Sequence, residues 1–163
     1  MNLLLSGYYG FGNAGDEAVL AAMLGSISAL CPEARFTVTS GSPGHTVSRF
    51  NSETTRVAAV PRQSFGAIRA KLRGCDLFIS GGGSLLQDVT SLRNIVYYTS
   101  LMRMAQLSRV PVMVYAQGIG PLRLPLSQKL TRAAVRRAKI VTVRDEASKA
   151  LLQRIGVKRE IEV

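Results

Sequence analysis

Apolar residues along the chain come in short runs broken by glycine, alternating with longer stretches of helical period. Asn2-Leu3-Leu4-Leu5-Ser6 is a brief apolar run closed by glycine, the pattern of a buried strand. Gly7 to Gly15 is a turn-rich loop with four glycines. Asp16 and Glu17 then open a helix to about Leu30, which Pro32 stops. Acids in a first turn suit the positive end of the helix dipole, and Asp16 is the expected N-cap. Arg35 to Ser40 alternates like a strand, and Gly41-Ser42-Pro43-Gly44 ends it, leaving His45 in a solvated loop. A third strand is expected at Arg56 to Val60, then a basic helix from about Ser64 to Arg73.

The second half repeats the alternation. Asp76 to Ser80 reads as a strand running into Gly81-Gly82-Gly83, and a long helix follows from about Leu92 to Leu107. Val112 to Gln117 is a fifth strand, Leu126 to Ala138 a basic helix, and Ile140 to Val143 a sixth strand. A last helix spans Asp145 to Ile155, with Gly156 closing it. Strands alternating with helices predict an α/β fold, a Rossmann-like, mostly parallel sheet with helices on both faces. Glu160 to Val163 alternates like one more strand and stops with no turn or cap. Residues 1–163 are therefore expected to be one N-terminal domain, cut from a longer two-domain chain whose C-terminal domain is missing.

Composition narrows the classes. With 47% hydrophobic and 19% charged residues, the chain is built to bury a core, which excludes a disordered segment. Cys31 and Cys75 lack CxxC or metal-like spacing, and with His45 the single histidine no zinc site is expected. No run reaches the roughly 18 apolar residues of a membrane span. No basic segment precedes the apolar run Ala18 to Cys31, so it is not read as a signal peptide, and a cytoplasmic location is expected. The charge departs from the ordinary: 21 Lys plus Arg against 10 Asp plus Glu give +11. Such an excess draws phosphorylated substrates, anionic lipid at the inner membrane face, or nucleic acid. No recognition-helix or aromatic RNP-like motif is present, so nucleic acid is not the expected partner.

In open parallel sheets, ligands bind at the carboxyl ends of the strands. Four unusual segments fall there: Gly7 to Glu17, Gly81-Gly82-Gly83-Ser84-Leu85-Leu86-Gln87-Asp88, Gln117-Gly118-Ile119-Gly120-Pro121 and Arg144-Asp145. Glycine lets backbone N–H groups approach a ligand, and four such loops on one rim predict a binding cleft. Gly10-Phe11-Gly12-Asn13-Ala14-Gly15 matches GxGxxG, the dinucleotide fingerprint. An NAD-binding reading is disfavoured by Asp16 and Glu17 where a pyrophosphate would sit, and by the lack of an acid ending the second strand. The triple glycine is no P-loop, since no Gly-Lys-Ser/Thr follows. Arg144 could grip a carboxylate or phosphate bidentately, or could equally form a surface salt bridge with Asp145 or Glu146.

Gly7-Tyr8-Tyr9-Gly10 with Asn13-x-Gly15-Asp16-Glu17-Ala18, Ser80 to Asp88, Gln117 to Pro121 and Val143-Arg144-Asp145 together resemble the polysaccharide pyruvyl transferase family, in its bacterial cell-wall branch. The resemblance covers nearly the whole chain and implies the first half of a GT-B-like two-domain fold. It implies transfer of pyruvate from phosphoenolpyruvate, the donor substrate and no cofactor, to a sugar such as N-acetylmannosamine as a cyclic ketal. The acceptor would be a lipid- or nucleotide-linked precursor of a cell-wall polymer that anchors S-layer proteins. Arg144 maps onto the family's phosphoenolpyruvate-binding arginine. The family's histidine and lysine belong to the second half, so His45 is not that histidine and the fragment alone should not turn over. Asn13, Gly15, Asp16, Gly81, Gly82, Gly83, Ser84, Gln117 and Gly118 are the remaining expected substrate-binding positions. Asp16, Glu17 and Asp88 are candidates for a base or for sugar hydroxyl contacts. An inactive sugar-nucleotide-binding module is the alternative.

Overall fold

The computed structural model describes residues 1–89 and 91–163. Six strands, β1 (Asn2–Tyr9), β2 (Arg35–Ser40), β3 (Arg56–Pro61), β4 (Leu77–Gly81), β5 (Val112–Gln117) and β6 (Ile140–Val143), form one sheet in the order β3-β2-β1-β4-β5-β6. Every neighbouring pair is parallel. The helices are α1 (Ala14–Leu30), α2 (Pro43–Phe50), α3 (Phe65–Leu72), α4 (Leu92–Leu107), α5 (Pro125–Val135) and α6 (Glu146–Arg154). The expected Rossmann-like α/β layer is the observed one.

Alternation along β1 divides the core. Leu3 and Leu5 pack with Leu20, Met23 and Leu24 of α1, while Leu4 joins Phe78 and the buried faces of α3 and α4 on the other side. Strands covered on both faces must be apolar throughout, which is why β1 and β4 read as continuous hydrophobic runs.

Four local readings change. Asn13, not Asp16, caps α1: its side chain accepts the N–H groups of Gly15 and Asp16 at 3.0 and 3.2 Å. β1 runs on to Tyr9, with a register shift between Ser6 and Tyr9. The segment after β2 is helical, so His45 lies exposed on α2 rather than in a loop. Pro43 at the first helical turn costs α2 nothing, since that N–H has no intrahelical partner anyway. At the other end, Glu162 pairs with β6 through a single parallel bridge, short of a full strand.

The strand order reverses direction between β1 and β4, so the chain leaves the sheet to opposite sides there and opens a crevice at the carboxyl ends. The register breaks sharpen this rim. One follows Ser6 in β1 and the other lies between Val114 and Gln117 in β5. Ala116, inside the second, takes φ of 45°, a left-handed conformation an alanine adopts only under constraint. Its N–H donates to the Thr142 hydroxyl at 2.8 Å, which holds it there.

Candidate functional site

A cavity of about 400 Å³ opens at this switch point, lined by Tyr8, Asn13, Asp16, Ser84, Leu85, Gln87, Asn94 and Tyr98. Three of the residues expected from the sequence, Asn13, Asp16 and Ser84, share its wall. The loops after β4, β5 and β6 are tied together from below. Gly118 N–H donates to the Gly83 carbonyl at 3.0 Å, Gly82 N–H to the Tyr115 carbonyl at 3.1 Å, and Arg144 N–H to the Gln117 carbonyl at 3.1 Å. Gln117 is buried, and its amide donates to the Ser80 hydroxyl at 2.9 Å while its Oε1 has no partner among the described residues. It therefore braces the floor rather than lining the cavity.

Arg144 sits directly beyond β6. Its Nε pairs with Asp145 at 3.2 Å and its Nη1 lies 3.5 Å from the Ser84 hydroxyl. The pair is open to water, with side-chain exposures of 60% and 41%, so it constrains the guanidinium only weakly. Asp145 is better engaged elsewhere: it caps α6 by accepting the Ser148 N–H at 2.8 Å, and that interaction with Ser148 holds its carboxyl below the usual range. Both readings of Arg144 thus coexist. It carries a surface ion pair and still presents a fork toward a cavity-lining hydroxyl.

Gly118 makes that approach sterically feasible. A Cβ there would stand 2.7 Å from Ser84 Oγ and 2.9 Å from Arg144 Nη2, closer than such atoms can come. Gly82, with φ of 46°, could not carry a side chain because a Cβ would meet Val19 Cγ1 at 2.1 Å. Gly81 is packed against Met23, and Gly15 serves as a donor to Asn13. Gly83 lies against Asp16, whose Oδ1 would be 2.8 Å from a Cβ on it.

The three carboxylates separate. Asp16 lines the cavity, half-buried, and its pKa is raised by loss of solvation and by the neighbouring Glu17 charge. Glu17 is buried away from the cavity mouth, its Oε1 accepting the Gly10 N–H at 2.7 Å. An internal carboxylate thereby occupies an amide of the GxGxxG loop that a dinucleotide phosphate would need, a physical obstacle to the NAD reading. Asp88 lies outside the cavity lining and takes the Arg123 and Leu124 N–H groups at 2.9 and 2.8 Å, stapling the loop before α5. Partial desolvation pushes its pKa up, but the hydrogen bonds from the Arg123 and Leu124 N–H groups outweigh it and hold the carboxyl low.

Sequence reasoning missed the aromatic wall. Tyr8 and Phe11 stack with ring centroids 4.4 Å apart and an interplanar angle of 14°. Arg62, the residue after β3, places its guanidinium 5.8, 5.2, 4.4 and 5.8 Å from the rings of Tyr8, Phe11, Tyr97 and Tyr98. The Tyr97 hydroxyl donates to the Arg62 carbonyl at 2.8 Å. The one available signal was position: a cation immediately after a strand's carboxyl end, as with Arg144.

Among the described residues, no group of three His, Cys, Asp or Glu is placed to hold a metal ion, and no helix is long and apolar enough to cross a membrane.

An all-parallel sheet with a cavity at its switch point defines a Rossmann-like domain, and comparison with solved structures specifies its fold as GT-B-like. An alpha-glucosyltransferase in complex with UDP-glucose and DNA containing an abasic site superposes with a TM-score of 0.56 at 15% identity, over 99% of this chain and 41% of that one. An alpha-glucosyltransferase in complex with UDP gives 0.52 at 14% identity, over 99% and 43%. At such identities the likeness concerns the fold, and the chain spans about two fifths of those enzymes' length. No curated protein sequence matches the chain. The profile of the family described as polysaccharide pyruvyl transferase matches residues 13–163, and the chain belongs to that family.

Proposed function

We propose that the cavity at the β1/β4 switch point is the donor half of a site that transfers pyruvate from phosphoenolpyruvate to a saccharide as a cyclic ketal. The observation that carries this is the meeting, in a chain of this family, of Asn13, Asp16 and Ser84 around one cavity with the Arg144 guanidinium on Ser84.

The reaction sets the requirements. A first sugar hydroxyl adds to C2 of phosphoenolpyruvate while C3 gains a proton. Phosphate then leaves and a second hydroxyl adds to the same carbon. The chemistry needs an anion clamp, a group that takes hydroxyl protons and one that supplies the proton to C3. Arg144 is the clamp: a planar fork already near the cavity, tethered by an ion pair weak enough to exchange for a substrate carboxylate or phosphate. Asp16 is the base. Burial and the Glu17 charge raise its proton affinity, as a residue that must accept a proton requires. Ser84 positions by hydrogen bonding to the same anion. The proton for C3 falls to a group outside these residues.

The test follows phosphate release from phosphoenolpyruvate by the full-length protein, with and without an N-acetylmannosamine-containing acceptor. Acceptor-dependent release that collapses in Arg144→Ala is expected. Equal release by the variant would remove Arg144 from the site. No release with any acceptor, alongside tight binding of a sugar nucleotide, would point to a binding module instead.

A further inference from the structure

The two edge strands of the sheet, β3 and β6, each hand the chain to an arginine at the same rim: Arg62 after Pro61 and Arg144 after Val143. Their surroundings differ. Arg144 has a carboxylate partner, whereas no carboxylate among the described residues pairs with Arg62. Four aromatic rings enclose Arg62 instead, which fixes the guanidinium and shields it from water without neutralising it. Two of those rings, Tyr8 and Tyr98, line the cavity. The Tyr98 hydroxyl, in a residue 3% exposed, has no hydrogen-bond partner among the described residues. A half-buried cation with unspent charge therefore stands behind two rings of the cavity wall, beside an orphaned hydroxyl.

We propose that Arg62 is the anchor for the acceptor, binding the phosphate of a glycosyl phosphate or diphosphate on the side of the cavity opposite Arg144. The inference rests on the transferase reading and extends it to the second substrate. Geometry assigns the anion. β3 and β6 are five strand spacings apart, about 24 Å. Arg62 leans inward only as far as Tyr8 and α4, and Arg144 as far as Ser84. Phosphoenolpyruvate carries its carboxylate and phosphate on one carbon, so a single arginine site holds both and the donor cannot span the two. An acceptor can. Its ketal-forming hydroxyls must reach the donor carbon near Arg144, while an anomeric phosphate projects away from them across the sugar ring. The same phosphate occurs in a nucleotide-linked and in a lipid-linked sugar.

The test compares full-length wild type, Arg62→Gln and Arg62→Lys with three acceptors: UDP-N-acetylmannosamine, a short-chain polyprenyl-diphosphate-linked N-acetylmannosamine, and methyl N-acetylmannosaminide, which has no phosphate. Arg62→Gln should raise KM for a phosphorylated acceptor about 10- to 100-fold. KM for phosphoenolpyruvate and for the methyl glycoside should stay unchanged. Whichever phosphorylated acceptor responds identifies the carrier. Arg62→Lys keeps the charge and ring packing but loses the fork, and should give a smaller rise confined to the same acceptor. It carries the test alone if the Gln variant does not fold. A rise in KM for phosphoenolpyruvate instead, or an equal rise for the methyl glycoside, overturns the proposal. If wild type releases no phosphate with any acceptor, the transferase reading fails, and calorimetric titration with the same two diphosphates decides on Arg62. Binding by wild type that weakens at least tenfold in Arg62→Gln sustains the anchor, and equal binding or none defeats it.

Discussion

After β4, β5 and β6 the rim is a lattice of backbone hydrogen bonds: Gly82 to Tyr115, Gly118 to Gly83, Arg144 to Gln117. After β1 and β3 it is a cluster of rings around one guanidinium, with Tyr8 and Phe11 stacked at its outer face. The first half is fixed by groups that every residue carries, and needs glycine only where a Cβ would collide. The second depends on particular side chains drawn from three separate segments. A rigid backbone lattice suits the small donor proposed above, with its two anionic groups on one carbon. A ring-lined wall with 40% of Tyr8 and 45% of Phe11 exposed suits a larger ligand that extends toward solvent.

Asp16 lies where the halves meet, on α1 and against Gly83, and its substitution should have the largest effect. Asp16→Asn removes the proposed base and should lower kcat about 100- to 10,000-fold. Stability should move the other way. Because its pKa is raised in the folded protein, Asp16 favours folding in acid, and that contribution is lost as pH rises through the folded value. The Asn variant should therefore melt above wild type at pH 7 to 8, with the gap closing toward the ordinary aspartate value of 3.8. A variant that loses activity and melts lower at neutral pH would make Asp16 a structural residue.

Arg144→Ala tests the lattice side directly. Loss of one charged donor to a developing anion costs about 100-fold in turnover. The Asp145 pair is exposed, so Tm should hardly change. Gly118→Ala asks the same question through packing. A Cβ 2.9 Å from Nη2 must push the guanidinium off Ser84, and turnover should fall about tenfold while the fold persists, since a misplaced clamp costs less than a missing one. Wild-type turnover in Gly118→Ala would mean that the fork near Ser84 is not the working pose.

The same contrast explains what the sequence made legible. Strands β1 and β4 are apolar on both faces and lead into glycine-rich loops, so the sheet and its rim could be placed from pattern, though not the last residues of β1. The glycine-bearing loops were visible because a close backbone approach demands glycine at a fixed place in the chain. Helix α2 was not visible: it buries only Thr46, whose hydroxyl pairs with Ser40 at 2.7 Å, and it begins with Pro43-Gly44, which also spells a turn. Asn13 and Asp16 are both good caps three residues apart, and only the path of the chain out of β1 decides between them. Arg62 left no trace beyond its position after a strand, because its ring partners lie more than thirty residues away on either side and meet only in the folded protein.

Asp88 gives the smallest effect and the cleanest separation of a motif residue from a site residue. It belongs to the same glycine-led segment as Ser84, yet its two oxygens are spent on the Arg123 and Leu124 N–H groups, outside the cavity lining. Asp88→Asn keeps the shape but has one acceptor oxygen for two donors, and turns an amide N–H toward the other. The cost should be about 1 kcal/mol of stability at pH 7 with turnover within about twofold of wild type. The sign of the pH dependence follows from its lowered pKa: the carboxylate stabilises the fold above its unfolded pKa, and the advantage disappears as pH falls through the folded value. Melting curves of the two proteins should therefore converge in acid, opposite in sign to Asp16→Asn. A large loss of turnover in Asp88→Asn with unchanged melting would move Asp88 from the loop staple into the chemistry, and the lattice half of the rim would then reach further than the cavity does.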